Sequence, residues 1–147
     1  MWSSTLLDEV HDMPDATLAD VRLLTVGDFD RKSPFLLLLA GQPALDQRLA
    51  EPTHHALDQR ITTCARLQPL SLDETREYLN VRLAAAGTSK QPVFEDGATD
   101  QLFDASAGVP RRINNIATSA LIVAASRKRR IVSAQDVQDA RLDRGRS

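Results

Sequence analysis

The chain has 147 residues, of which 42% are apolar and 26% charged, and its formal net charge is −2. Its glycine content, its apolar fraction and its single cysteine, Cys64, exclude collagen-like, disordered, disulfide-framed and membrane-spanning proteins. We therefore expect a cytoplasmic globular protein with neither a disulfide partner nor a membrane partner.

Short apolar runs alternate with helical patterns in the first part of the chain. The runs that end at Leu7, span Pro34–Ala40 and span Ile61–Leu67 predict three strands. Continuous apolar runs separated by helices are typical of strands that are buried on both faces of a parallel sheet. The pattern therefore predicts an α/β fold.

Two helices are predicted between these strands. Asp15–Val26 places Leu18, Val21 and Leu24 on one apolar stripe. Pro43–Ala50 begins with a proline, which a helix tolerates in its first turn.

The chain from Pro69 onward contains helical patterns only. The predicted helices begin at a Ser71–Glu74 capping box that Gly87 closes, span Glu95–Ala107 before Gly108, begin at Pro110, and begin at Ser133 with Asp136. We therefore expect an α/β domain over residues 1–68 and a four-helix domain over residues 69–147.

Polar residues follow the first two predicted strands. Asp8 and Glu9 come after the first strand, and Gln42 comes after the second. The carboxyl ends of parallel strands are where ligands bind in open α/β sheets. One carboxylate could hold a divalent cation while the other orients water, and Gln42 could position water or an anion. The alternative is that all three residues cap helices and lie in solvent.

Three further groups of basic or metal-ligating residues stand out. Arg60 could reach the phosphate of a neighbouring molecule or form a surface salt bridge. Adjacent His54 and His55 point about 100° apart on a helix and lack a third ligand, so we expect no metal there. The run Arg127–Arg130 could contact phosphates of DNA, or it could complement the dipole at a helix end.

Arg111 and Arg112 lie in the first turn of the helix that begins at Pro110, where the helix dipole disfavours cations. Their position therefore indicates an anionic partner. That partner could be a ligand, or it could be the acidic first part of the chain, since residues 1–70 carry ten Asp or Glu against six Lys or Arg.

The order of these motifs resembles the AAA+ ATPases of the ExeA type over about residues 5 to 140. That family includes general secretion pathway A proteins and ATP-binding helper proteins encoded beside transposases. The resemblance implies part of a P-loop NTPase core followed by an all-helical lid. The motifs that carry it are Leu6-Leu7-Asp8-Glu9-Val10-His11, Arg22-Leu23-Leu24-Thr25, Asp28-Phe29-Asp30, Leu39-Ala40-Gly41-Gln42-Pro43-Ala44-Leu45, Gln59-Arg60-Ile61, Pro69-Leu70-Ser71 with Glu74-Thr75 and Tyr78-Leu79, and Gly108-Val109-Pro110-Arg111-Arg112-Ile113-Asn114-Asn115.

The resemblance also implies ATP and magnesium as cofactors and assigns a role to each matching position. Asp8 matches the Walker B aspartate that holds magnesium, and Glu9 matches the glutamate that activates water. Val10 departs from the family's usual alanine. Gln42 matches the polar sensor at the end of the next strand.

The matching arginines imply contacts with nucleotide from two subunits. Arg60 matches an arginine finger, which acts on ATP held by a neighbour in a homo-oligomer. Arg111 matches the sensor-2 arginine of the lid, and Arg112 could assist it. Transposase and DNA are the further partners that the transposon-associated branch implies.

The Walker A loop of the family has no counterpart in this sequence. The six glycines are at least ten residues apart, so neither GxxxxGK[ST] nor GxGxxG can be written. We therefore expect the C-terminal part of an ATPase, either a truncated product or a fragment, which neither binds ATP tightly nor hydrolyses it alone.

The end of the sequence bears on the choice between the branches of the family. The chain ends without the apolar span of the secretion proteins, which favours the transposition branch. The alternatives are a secretion-pathway ATPase fragment and a non-catalytic remnant that binds DNA or protein.

Overall fold

The structure, a computed structural model, describes residues 3–24, 35–87 and 92–144. These residues form two compact units, which we call unit 1, up to Arg66, and unit 2, from Leu67 onward. Thr25, the predicted helix end at Val26 and the Asp28-Phe29-Asp30 motif lie outside the described residues.

Unit 1 contains a parallel sheet of two strands, β1 (Ser3–Leu7) and β2 (Phe35–Leu39). Their register pairs Leu7 with Leu39, so that both strands end at the same level. A parallel pair needs a crossover. Its described part comprises a 3₁₀ turn, Val10–Asp12, and helix α1, Asp15–Leu24. Both carboxyl ends therefore lie at one edge of the sheet.

The prediction that the strands are buried on both faces is wrong for the described residues. Leu37 and Leu39 pack against the core of unit 1, whereas Leu36 is 59% exposed and Leu38 is 55% exposed. The described helices therefore cover one face of the sheet. The core residues of this face are Val10, Leu18, Val21, Leu45, Leu49 and Leu57.

The predicted stripe on α1 is correct at two positions of three. Leu18 and Val21 are buried, but Leu24 is 51% exposed. The reason is helical geometry, because a residue six positions after Leu18 is turned about 120° away from it at 3.6 residues per turn.

Two short helices, α2 (Ala44–Leu49) and α3 (His55–Asp58), follow β2. The predicted third strand over Ile61–Leu67 is wrong. Its β-branched residues favour extended backbone, but a strand also needs a hydrogen-bonded neighbour. Among the described residues, no backbone group pairs with residues 62–69.

Unit 2 confirms the predicted helices, which are α4 (Leu72–Ala85), α5 (Asp96–Ser106), α6 (Pro110–Ser126) and α7 (Ala134–Arg144). Within the described parts of the chain, no helix is both long and apolar enough to span a bilayer. The buried core of unit 2 comprises Leu79, Phe94, Ala98, Leu102, Ile113, Ile116, Ala117, Ala120, Ala124, Val132, Val137 and Ala140.

The capping box at the start of α4 is formed as predicted. Ser71 Oγ accepts the Glu74 backbone N–H at 3.2 Å, and Glu74 Oε2 accepts the Ser71 backbone N–H at 2.8 Å. The second bond lowers the pKa of the exposed Glu74 carboxyl, because it favours the ionised form. Gly87 follows the helix with φ of 81°, a conformation that favours glycine.

The turn between α5 and α6 is held against the segment that precedes α4. Ala107 and Gly108 both have positive φ, of 52° and 71°. The Leu70 backbone N–H donates to the Gly108 carbonyl oxygen at 2.9 Å. A Cβ atom at Gly108 would lie 2.0 Å from the Leu70 carbonyl oxygen. Only glycine therefore fits at this position.

Gly108→Ala is expected to destabilise unit 2 by about 2–5 kcal/mol, from a left-handed alanine and a backbone overlap. Urea unfolding followed by far-UV circular dichroism measures the change. Gly97→Ala is the matched control, because Gly97 lies within α5 and its Cβ would meet nothing closer than 3.9 Å. Equal midpoints for the two variants would contradict the prediction.

Candidate functional site

The ends of β1 and β2 bring three of the predicted site residues to one edge of the sheet. Ala40 N–H donates to Leu7 O at 2.8 Å, and Val10 N–H donates to Ala40 O at 2.9 Å. These bonds continue the pairing beyond the strands. Asp8 and Glu9 on one segment, and Gln42 on the other, are therefore neighbours at this edge.

Asp8 and Glu9 are both exposed, and the backbone fixes their relative placement. Glu9 is left-handed, with φ of 52° and ψ of 36°, and its N–H donates to Asp8 Oδ1 at 2.8 Å. A left-handed conformation is uncommon for a glutamate, although Ala107 and Lys128 adopt it as well at helix ends. Two exposed carboxylates fit Mg²⁺, which prefers hard oxygen ligands and keeps several water molecules or phosphate oxygens.

His11 is a site residue that the sequence did not single out. Its side chain is 9% exposed although it lies in a surface turn. Nδ1 accepts the Gln42 backbone N–H at 3.3 Å and lies 3.4 Å from Glu9 Oε2, while Nε2 lies 3.6 Å from Asp12 Oδ1. Glu9, His11 and Asp12 together offer ligand atoms within 4.8 Å of one another. The sequence places His11 two residues after Glu9, in the motif that carries the family resemblance, but assigns it no role.

A second group of side chains anchors the His11 turn to α2. Arg48 Nη1 donates to the His11 carbonyl oxygen at 2.6 Å, and its Nη2 binds Asp15 Oδ1. The buried His54 also contacts this carboxylate, with Nε2 3.1 Å from Asp15 Oδ1. The Arg48 and His54 bonds lower the pKa of Asp15. The three side chains thus form a structural network behind the turn.

The structure places the predicted arginines in two different units. Arg60 lies in unit 1 just after α3, and its side chain is exposed. The Arg60 backbone N–H donates to the Leu57 carbonyl oxygen at 2.9 Å. Arg111 and Arg112 lie in the first turn of α6 in unit 2. Neither unit alone brings all the predicted residues together.

Arg111 and Arg112 differ in their surroundings. Arg112 Nη2 donates to Ala105 O at 3.0 Å, near the end of α5, where carbonyl groups lack helical partners. The position of Arg112 is therefore explained by this bond to a backbone carbonyl group, and not by pairing with an acidic residue. Arg111 is exposed, and it makes no hydrogen bond or ion pair with a side chain that the structure describes.

The basic run after α6 is partly neutralised. Arg127 Nη1 and Arg129 Nη2 both bind Asp136 Oδ1, and Arg127 Nη2 binds Asp139 Oδ2 at 2.6 Å. The Asp139 bond raises the pKa of Arg127 despite desolvation. Arg127 and Arg129 are therefore exposed but paired with carboxylates of α7. Lys128 and Arg130 are exposed and have no side-chain partner among the described residues.

Comparison with known proteins defines the class of fold first. The structure of the Thermotoga maritima RuvB Holliday junction branch migration motor matches with a TM-score of 0.72 at 17% identity, over 93% of this chain and 43% of that chain. A variant RuvB from the same organism matches with a TM-score of 0.73 at 16% identity, over 95% and 44%. The fold is thus part of an AAA+ P-loop NTPase, with a parallel sheet, flanking helices and a helical part.

A sequence relative then identifies the family. General secretion pathway protein A of Aeromonas hydrophila is 40% identical over 125 residues, which are 85% of this chain and 23% of that protein. The chain belongs to the ExeA-type family of AAA+ ATPases. It spans about a quarter of that relative's length. No protein-family model matches the chain.

Proposed function

We propose that unit 1 provides the magnesium-binding and water-activating side of an ATP-hydrolysing AAA+ site. Asp8 is the magnesium ligand, Glu9 is the general base, and Gln42 is the polar sensor. The observation that carries this proposal is the pairing of the two strand ends, where Val10 N–H binds Ala40 O and Gln42 N–H binds His11 Nδ1.

The chemistry of this site is phosphoryl transfer to water. Glu9 accepts the proton of the attacking water as the new P–O bond forms and the bond to ADP breaks. Gln42 can hydrogen-bond the water or the γ-phosphate, because its amide both donates and accepts. Mg²⁺, when bound, neutralises charge on the phosphates. The exposure of Asp8, Glu9 and Gln42 is consistent with access for nucleotide.

Three arginines, which lie outside the edge formed by the strand ends, complete the proposed site. We assign Arg60 as an arginine finger that acts on ATP in a neighbouring subunit of an AAA+ homo-oligomer, where it stabilises charge on the γ-phosphate. Arg111 is the sensor-2 arginine. Its support is its position, since an exposed cation in the first turn of α6 is disfavoured by the dipole unless an anion binds it. Arg112 assists it, although its guanidinium already binds Ala105 O.

The 147-residue chain alone is proposed neither to bind ATP tightly nor to hydrolyse it. The support is that its sequence contains no GxxxxGK[ST] segment, whose backbone N–H groups hold the phosphates. Phosphate release by the purified chain with ATP and Mg²⁺ is expected to equal that of buffer. Turnover that Glu9→Gln abolishes would contradict this inactivity.

The process that hydrolysis would drive is proposed to be DNA transposition, with a transposase and DNA as partners. The support is the resemblance to transposon-encoded helper proteins. The name of the Aeromonas hydrophila relative makes secretion the alternative. A non-catalytic remnant that binds DNA or protein is the third possibility, and its DNA-binding form can be tested on this chain.

DNA binding by the basic run is expected to be weak, because only two of its four residues, Lys128 and Arg130, lack partners among the described side chains. Neutralising two phosphates gives a slope of about −2 for log K against log salt. Fluorescence anisotropy with a DNA duplex at several salt concentrations measures this slope. Lys128→Ala with Arg130→Ala should abolish binding, whereas Arg66→Ala, which removes a cation paired with Asp46, should not. No binding at low salt would remove DNA as a partner of this chain.

A further inference from the structure

A groove between α4 and α6 on unit 2 contains none of the residues assigned to the ATP site. Its volume is about 170 Å³, which is room for one or two apolar side chains. Five apolar and three polar residues line it, and all of them belong to unit 2. The lining residues are Leu79, Leu83, Phe94, Ala117 and Leu121, with Arg82, Asn114 and Thr118.

The floor of the groove is apolar. Leu79, Phe94 and Ala117 belong to the buried core of unit 2, and Leu121 at the rim is 36% exposed. Water in the groove therefore lies against apolar surface. Its displacement by an apolar side chain is favourable, because apolar surface is removed from water.

Two contacts show that α4 and α6 run in the same direction along the groove. The Leu70 N–H donates to the Gly108 carbonyl oxygen just before the two helices begin, and Tyr78 OH donates to Asn114 Oδ1 at 3.0 Å further along both of them. A third helix can pack its side chains into the furrow between two such helices. An extended peptide would instead need backbone partners, and the backbone groups of α4 and α6 are bonded within these helices. The shape of the groove therefore favours a helix.

The free polar groups of the groove are hydrogen-bond donors. Arg82 is exposed, and its guanidinium makes no hydrogen bond or ion pair with a described residue. The positions one helical turn before and after Arg82 carry no carboxylate that could pair with it. The Asn114 amide oxygen is taken by Tyr78, and its amide N–H groups have no described partner. Since no lining residue is acidic, the groove is complementary to a carboxylate.

We infer that this groove is a docking site for an amphipathic helix of another protein. An apolar side chain of that helix fills the space above Leu79 and Phe94, and a carboxylate one helical turn away binds Arg82. The spacing follows from α4, because Leu79 and Arg82 are three residues apart and lie on one face of the helix. The site goes beyond the proposed ATP chemistry, and its occupation does not depend on nucleotide.

A pair of helical probe peptides tests the inference on the 147-residue chain. The first is an alanine-rich, fluorescein-labelled peptide of about 16 residues, a length at which such sequences form helix, with two leucines and a glutamate on one face. The second carries lysine in place of the glutamate. Fluorescence anisotropy should show that the glutamate probe binds about three- to tenfold more tightly. The net charge of the chain is −2, so non-specific attraction would favour the lysine probe instead.

Three variants of the chain assign the binding to the groove. Arg82→Glu should reverse the preference, so that the lysine probe binds more tightly. Arg141→Glu makes the same change of charge at an exposed position of α7 outside the groove, and should keep the preference of the wild type. Leu121→Ala should weaken both probes about threefold, because it removes apolar surface from the rim. Far-UV circular dichroism verifies that each variant is folded.

Three results would overturn the inference. The first is that neither probe binds the wild type, or that both bind equally well, and this comparison needs no variant. The second is that Arg82→Glu keeps the preference shown by Arg141→Glu. The third is self-association of the chain, measured by sedimentation velocity, that Arg82→Glu abolishes, since a second copy would then occupy the groove. Because no readout uses nucleotide, a failed ATPase assay would refute the proposed function without altering these results.

Discussion

Glu9→Gln is expected to lower ATP turnover by about 10²–10⁴-fold in a fusion that places a P-loop strand, loop and helix ahead of Met1. The fusion supplies the phosphate-binding backbone N–H groups that the chain's sequence lacks. Glutamine keeps the shape of the side chain but cannot accept a proton from water. Because Glu9 acts on the water, kcat should fall while KM for ATP changes little. Steady-state phosphate release at saturating Mg²⁺ measures both constants.

Two further variants of the same fusion separate catalysis from charge. Asp8→Asn should raise the Mg²⁺ concentration needed for half-maximal turnover, since it removes the proposed metal ligand. Asp20→Asn, which removes the same charge from an exposed position of α1, should stay within about threefold of the parent. If Glu9→Gln retained the turnover of Asp20→Asn, Glu9 would not be the base.

The helices of unit 2 could be predicted because their signals are local. The Ser71–Glu74 capping box, Pro110 at the first turn of α6 and Gly108 before it each act within a few residues of the chain. The prediction of a third strand is wrong because the pairing of a strand with its neighbour is not a local property of the chain. The Ile61–Leu67 segment has a suitable composition, but no described backbone group forms a hydrogen bond with residues 62–67.

The prediction that the strands of unit 1 are buried on both faces is wrong for a related reason. The four leucines of β2 form a continuous apolar run, which is typical of strands covered on both faces. Whether a face is covered depends on which other elements pack there. The described elements cover the face of Leu37 and Leu39, and leave Leu36 and Leu38 more than half exposed.

The carboxylate part of the candidate site could be predicted from topology alone. Parallel strands end at one edge, so residues directly after β1 and β2 are neighbours, as Asp8, Glu9 and Gln42 are. The contacts of His11 could not be predicted this way. They depend on the left-handed backbone at Glu9 and on the close approach of Gly41, which no short pattern encodes.

The pairing of Arg127 and Arg129 with Asp136 was also beyond the sequence. The run of four cations suggests a solvated helix end, and Ser133 with Asp136 predicts only the start of a helix. The loop between α6 and α7 brings the basic run and Asp136 together. Asp136 thus has both roles, because its Oδ2 accepts the Ser133 N–H at 3.0 Å and the Ser133 hydroxyl at 2.9 Å, and its Oδ1 binds both guanidinium groups.

Asp136→Asn is expected to destabilise unit 2 by about 2–3 kcal/mol. The carboxylate is fully buried, and the asparagine amide would place N–H groups where Ser133 or an arginine already donates. The loss stays below that of a wholly buried ion pair, because the Arg127 and Arg129 side chains are 45% and 39% exposed and can be hydrated again. Urea unfolding followed by far-UV circular dichroism measures the difference.

Asp139→Asn provides the matched control for the Asp136 prediction. Asp139 also binds Arg127, but its side chain is 27% exposed, so its loss should destabilise unit 2 less than the loss of the fully buried Asp136 carboxylate. Equal unfolding midpoints for the two variants would show that burial of the Asp136 network contributes nothing.

The same network predicts how the stability of unit 2 depends on pH. Burial raises the pKa of Asp136, but the Ser133 hydrogen bonds and the positive charges of Arg129 and Arg127 outweigh burial, so the pKa is lowered. A lowered folded-state pKa gives stability that is complete above the unfolded-state pKa of about 4 and is lost as pH falls through the folded-state value. The wild type should therefore lose stability below about pH 4. Asp136→Asn should remove part of that acid-dependent loss, because asparagine has no carboxylate to take up a proton at this position. If the variant lost the same amount of stability in acid as the wild type, the loss would belong to other carboxylates.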